Sequence, residues 1–481
     1  GAKMIGAIVS KELTEICRDG RAIGLLGIVT LLLLLGLVTG FATESAREQD
    51  VLQAQTDDSA VFLEQGVKNP HSAAHFSRMA HKPVAPLASF DPGVSSYMGQ
   101  VIWLEAHARN PAMFRAAEDA PELSRLENFS VAGVLTLVLP LLVVLMGYGS
   151  IASERERGTL RQLVGSGTSL KDLLLGKFIV TAGVAFAVLV AAVLIATLFS
   201  MLTLSESGFA GSDTLLRGLS LLVVYGLYIV CLTAVTLLVS MLVAEARTAL
   251  LVMLGVWVVT VVGLPRLSAS IAEQVYPSPD TSAFWEDTYA SLRENRPDSD
   301  SADYVAVEQT VIQRALGREL RSGELDVLEI NRAAVRLEVS EVIDAETYNA
   351  VYAELFANYD KQKDLRRLLS LISPTIALQH LSRAYSGTDV SAHEHFSLEA
   401  EKQRNTIVRA MNEDMMINGA GQSFAYLAPA EFWESVPEFE YQPSSVAYAW
   451  SESAVDLMIL LIWGLAATVA VFWLGTNQVR V

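Results

Sequence analysis

The 481-residue chain has only two cysteines, Cys17 near the N-terminus and Cys231 inside an apolar run. The two fall in different environments, so no intramolecular disulfide is expected. Basic residues are also short: 35 Lys and Arg stand against 53 Asp and Glu, a net charge of −18. Such a balance argues against recognition of nucleic acid through its phosphates. A nucleotide-binding loop is missing as well. It would need G-x-x-x-x-G-K-[ST], and the nearest stretch, "LLLGKF", has Phe178 where the hydroxyl belongs. There is no H-E-x-x-H zinc signature, because "HEHF" has the wrong spacing. With no nucleophile–base pattern to be found, a membrane-embedded hydrolase has no support, and the chain is expected to be non-catalytic.

What is present is apolar and bunched. Hydrophobic residues make up 52% of the chain, and mean hydropathy is +0.36. A bilayer core of about 30 Å demands roughly 20 apolar residues in a helix. Six stretches qualify: 22–41, 129–150, 178–202, 218–243, 248–265 and 455–475. The expected fold is therefore mainly α, a polytopic membrane protein with six transmembrane helices. The first run is too long, and lacks the A-x-A-like exit, for a cleavable signal peptide. Ion-driven transporters place carboxylates, His or Lys inside their spans, and these spans are nearly free of ionisable residues. Any work done by the chain would have to be driven from outside it.

Residues 1–21 predict an amphipathic helix. Ile5, Ile8, Val9, Leu13 and Ile16 recur at helical spacing, with Lys11, Glu12, Glu15 and Arg18 around the rest. Such a helix would lie in the membrane interface. Between the spans lie two long polar regions, 42–128 and 266–450, both expected to be mostly helical, with Gly323 and Pro374 punctuating the second. Basic residues gather near Lys3, Lys11, Arg18 and Arg21, in the strip 151–177, at Arg247 and at Arg480 in the tail 476–481. The loop "LSESGFAGSDT" has none, although Arg217 follows it. By the positive-inside tendency, both termini and the strip are expected in the cytoplasm and both polar regions on the extracytoplasmic side.

The strip reads "SERERGTLRQLVGSGTSLKDLLLGK" and resembles the coupling segment that follows the second span in permease subunits of ABC-2-type ABC transporters. The matching positions are Glu154, Arg155, Glu156, Gly158, Thr159 and Leu160, then Gly176 and Lys177. The N-terminal "SKELTEICRDGRA" is similar to that family's first helix at Lys11, Glu12, Leu13, Arg18 and Asp19. Two further stretches, "NPHSAAHFSRMAHKPVAPLASFDPGVSSYMGQVIWLEAHARNP" and "SPTIALQHLSRAYSGTDVSAHEHFSLEAEKQR", resemble permeases that carry the DUF3526 region.

The resemblance implies a bacterial inner-membrane subunit that supports export or translocation. It would bind two copies of a separate ATPase, which hold the ATP and Mg, and pair with an identical or paralogous permease. Glu154, Arg155, Glu156, Arg157, Gly158, Thr159, Leu160 and Leu163 would form the ATPase-coupling surface, with Leu160, Leu163 and Val164 as its apolar anchor. The large external regions, unlike those of ordinary family members, admit a second reading. In mechanotransmission, a periplasmic domain acts on a periplasmic or outer-membrane partner and nothing crosses the bilayer.

All seven histidines fall in the polar regions: His71, His75, His81, His107, His380, His393 and His395. His71 and His75 form an i,i+4 pair, and His393 with His395 an H-x-H. These four are the candidate metal ligands, but metal sites need convergence and supporting hydrogen bonds. Structural packing is the reading adopted, with no metal or cofactor expected on this chain.

Overall fold

The computed structural model describes residues 2–113, 129–203 and 209–477. The end of the first polar region, part of the loop after the third span, and the last four residues with Arg480 lie outside that set. Among the described residues, six helices are long and apolar enough to cross a membrane.

Helix α1 (Ala2–Arg18) is separated from α2 (Gly20–Leu63) by Asp19 alone. The Asp19 carboxylate accepts the Arg21 N–H at 2.9 Å, an N-cap that lets a second helix start at once. With 44 residues, α2 is about 66 Å long, twice the bilayer core. The apolar window 22–41 is only its first half. Beyond Gly40 the sequence keeps helix formers and has no Gly or Pro, so the helix continues.

The second span is broken into α4 (Val131–Leu137) and α5 (Leu139–Gly147), after a short α3 (Pro70–Ala74) in the first polar region. Pro140 has no N–H to give to the preceding turn. At the break the Leu141 N–H turns to the Val138 carbonyl at 3.0 Å, and the Leu137 carbonyl accepts the Trp257 indole N–H at 2.9 Å. The strip follows as α6 (Ala152–Glu156) and α7 (Thr159–Gly165). The third and fourth spans are α8 (Leu170–Thr203) and α9 (Gly211–Leu242). The fifth runs through α10 (Ala246–Trp257), a π-helical turn (Val258–Gly263) and α11 (Leu264–Val275).

The two polar regions share one core. A hairpin of β1 (Met79–His81) and β2 (Val101–Trp103), paired Ala80 to Ile102, comes from the first. The second supplies α12 (Thr281–Asn295), α13 (Ala302–Leu316), α14 (Arg332–Leu369), α15 (Pro374–Ser386) and α16 (Val390–Asn418). Ala73, Ala74, Ile102 and Leu104 pack with Val335, Val339, Phe396 and Met411. Residues of α14 and α16 complete the core of the first region. Phe62, in the last turn of α2, sits in the same cluster.

The chain returns through α17 (Val446–Glu452) to the sixth span, α18 (Ala454–Asn477). The bundle core is built on α9, where Leu221, Tyr225 and Tyr228 meet Leu33, Leu135, Leu189 and Leu460 from four other spans. That cluster also takes in Ala377, Leu378, Leu381 and Tyr385 of α15. The helix is laid against the spans, with Tyr225 OH 2.9 Å from Ser382 Oγ and Tyr228 OH 3.0 Å from Thr375 Oγ1.

Candidate coupling site

Helix α1 meets the strip over the start of α8. A Cβ on Gly176 would come within 2.5 Å of Ile8 Cγ2, so glycine permits this approach. Beside it, Lys177 Nζ lies 2.7 Å from Glu12 Oε1 and 3.9 Å from Glu154 Oε1. Lys11 Nζ lies 3.2 Å from the same Glu154 oxygen and 3.9 Å from Glu12. Two lysines and two glutamates thus form a square drawn from α1, α6 and α8, with Glu15 3.4 Å from Lys11 on its outer side. Glu154 is 6% exposed and Lys177 is 3% exposed. Gly158 turns the chain with φ +74°, which brings the Thr159 hydroxyl back to donate to the Glu154 carboxylate and to its main-chain carbonyl.

The next residues bind the other side of the bundle. Arg155 donates to the carbonyls of Val243 at 2.7 Å and Met241 at 2.9 Å, the last turn of α9, where a cation is favoured. Ser240 Oγ accepts the N–H groups of Ile151 and Ala152 at 3.0 and 3.1 Å. The Ala246 N–H reaches Glu156 Oε2 at 3.4 Å. Leu160 is buried in a cluster with Ile8, Leu173, Leu174, Leu237 and Met241, and Leu163 packs at its edge.

The strip is therefore two-sided. Glu154, Arg155 and Leu160 point into the protein. Arg157, Gly158, Arg161, Gln162, residues 165–167, Ser169 and Lys171 are exposed, and so is most of Glu156. Arg18 is exposed, while Lys11 and Glu12 serve the square and Asp19 the cap.

A family model described as "ABC-2 family transporter protein" matches residues 6–477. The chain belongs to that family. Membership implies a permease component of an ABC transporter working with an ATPase partner, and such permeases are typically non-catalytic. Comparison with curated proteins finds no match.

The permease's histidines sort into separate settings. His81 pairs with Asp58. His380 Nδ1 lies 2.8 Å from Asp456 Oδ1, while the other oxygen, Oδ2, holds Arg367 at 2.8 Å. His393 Nδ1 lies 3.3 Å from Lys82 Nζ, and His395 Nδ1 lies 2.8 Å from Tyr441 OH. The H-x-H pair His393 and His395 thus turns to two different partners. Both lie inside α16, where residues two apart point about 200° apart around the helix.

His71 and His75 do come together, and with a third ring that the sequence reading did not choose. One ring nitrogen from each of His71, His75 and His107 lies within 4.8 Å of the others. His107 lies far along the chain in "EAHARNP", so only the packing of the polar domain brings it near. Burial, then the neighbouring His107 and His75 rings, pull the His71 pKa down to about 4. Burial pushes the nearby Glu341 carboxyl upward, but hydrogen bonding to His107 and the charge of Arg404 outweigh it and bring it down to about 2.

Proposed function

We propose that the chain is the permease subunit of an ABC-2-type ABC transporter of the DUF3526-carrying kind, converting ATP hydrolysis in a separate ATPase into export or translocation. Two ATPase copies, holding ATP and Mg, would dock on the strip of this subunit and of an identical or paralogous partner permease. Lys11, Arg18, Arg157, Arg161, Lys171 and Arg247 favour the cytoplasmic side of a bacterial inner membrane for this end of the bundle. The polar domain is then periplasmic and both termini cytoplasmic.

The observation that carries the reading is the two-sided strip. Its exposed face offers Arg157, Arg161 and Gln162 to a partner. Its inner face is fixed by Glu154 to α1 and α8, and by Arg155 to α9. A push on the strip thus moves the N-terminal helix and the spans α8 and α9 together. The double substitution Arg157→Glu/Arg161→Glu on this exposed face is expected to leave the melting temperature unchanged. Co-purification of the co-expressed ATPase should fall at least about tenfold, the loss of a charged anchor worth ~1.4 kcal/mol or more. Undiminished co-purification and undiminished stimulated ATPase activity would place docking elsewhere.

A second reading, mechanotransmission to an extracytoplasmic partner, is favoured by α2. This helix runs without interruption from Asp19 beside the N-terminal helix to Phe62 in the polar-domain core, so movement at one end reaches the other through a rigid rod. Spin labels at positions 171 and 402, in a Cys17→Ser background, would report it. A distance that changes between nucleotide-free and ATP-bound complexes is expected; an invariant distance in every nucleotide state would exclude mechanical transmission.

A further inference from the structure

The polar domain contains a constellation that ATP coupling does not use. His71 lies in α3 and His75 caps its C-terminus, so one short turn presents both rings on one side, with Nε2 atoms 3.4 Å apart. The ring centroids of His71, His75 and His107 form a nearly equilateral triangle with sides of 4.8, 5.1 and 5.3 Å. An ion bound by imidazole nitrogens at about 2.0–2.1 Å in tetrahedral geometry sets its ligand atoms about 3.3 Å apart. The observed His71–His75 separation already matches that edge.

His107 is held for this position. Its backbone has φ +65°, a left-handed conformation that a residue with a Cβ seldom adopts and that persists where the surroundings impose it. The surroundings here are specific. The His107 N–H donates to Glu341 Oε1 at 2.6 Å, its ring Nδ1 lies 2.9 Å from the same oxygen, and its carbonyl accepts the Tyr348 hydroxyl at 3.2 Å. Arg404 in turn grips the other Glu341 oxygen at 2.9 Å. A carboxylate on Nδ1 fixes that nitrogen as the donor and leaves the Nε2 lone pair free, the arrangement that orients metal-ligating histidines. Three half-buried rings thus each bring one nitrogen within 4.8 Å of the others.

The geometry points to a binding site for one divalent transition-metal ion at His71, His75 and His107, with Glu341 as the residue that positions His107. Imidazole ligands of this number suit Zn²⁺, Cu²⁺, Co²⁺ or Ni²⁺ rather than Ca²⁺ or Mg²⁺. Three protein ligands leave a coordination position for water or for a group brought by a partner. On the extracytoplasmic orientation proposed above, the site would see periplasmic rather than cytoplasmic metal; its existence does not depend on that orientation.

The test uses the full-length chain, purified without a histidine tag and stripped with chelator, titrated with Co²⁺ and then Zn²⁺. One equivalent should bind per chain, with visible absorption of the intensity given by four-coordinate Co²⁺, bleached when Zn²⁺ displaces it. His107→Gln and, separately, His75→Gln should each lose that signal at unchanged melting temperature. His393→Ala/His395→Ala should retain it. Failure of the wild-type chain to bind one equivalent would overturn the site, whatever the variants do. So would binding that survives both His107→Gln and His75→Gln, since the metal would then sit elsewhere and the three rings would be a packed hydrogen-bonded cluster.

Discussion

Replacing Lys177 with Met is expected to destabilise the permease by about 3–5 kcal/mol, the range for breaking a buried ion pair from one side. Lys177 is 3% exposed and the closest cation to Glu12. Without it, Glu12 and Glu154 would face each other with only the half-exposed Lys11 between them. The variant Lys177→Met/Glu12→Leu separates lost attraction from uncompensated charge. It removes both members of the closest pair and leaves Lys11 with Glu154, so most of the stability should return, as when buried ion pairs are replaced by apolar residues of similar volume. The check is thermal unfolding in detergent of the wild type, the single variant and the double variant. If the double variant is no more stable than Lys177→Met, the packing of the Lys177 stem, and not the charge balance, holds α1 to α8.

The same square shows what could be read from the sequence and what could not. The six spans were legible because one signal, an apolar run of bilayer length, dominates each. Their ends were not, since helix formers carry α2 on to Leu63 and start α8 at Leu170, and nothing apolar marks those stops. The strip was legible as a place of dense charge, yet charge does not reveal which way a side chain faces. In "ERE", successive residues turn by about 100° around the helix, so Glu154 and Arg155 bind inward from different angles while Glu156 stays largely outside. His71 and His75 could be paired by their spacing along the chain, whereas His107 joins them only through tertiary packing against α14. Arg217 was the least legible of all, counted only as a basic residue following a loop.

Arg217 lies near the start of α9 at 1% exposure, and Arg217→Met is expected to cost about 3–5 kcal/mol. Its Nε lies 2.6 Å from Asp213 Oδ2. Nη1 donates to the carbonyls of Ala384 and Tyr385 at 3.3 and 3.2 Å, and Nη2 to the Ser444 carbonyl at 2.7 Å. Ala384 and Tyr385 belong to the last turn of α15, where the carbonyls favour a cation. Asp213 meanwhile accepts the Val446 N–H at 2.7 Å at the start of α17. One side chain therefore latches the helix laid against the spans, and the segment leading to the sixth span, onto α9. Arg217→Lys keeps the charge but not the planar fork, so it should recover only part of the loss. Local opening is the sharper readout, because amide exchange reports each segment's own stability. In Arg217→Met the amides of residues 374–386 should exchange faster, while those of α14 keep their protection. Unchanged protection of 374–386 would mean that Leu378, Leu381 and Tyr385 hold α15 through apolar contact alone. In that case the guanidinium would serve Asp213 and the approach to α17, and α15 would stay coupled to the spans without it.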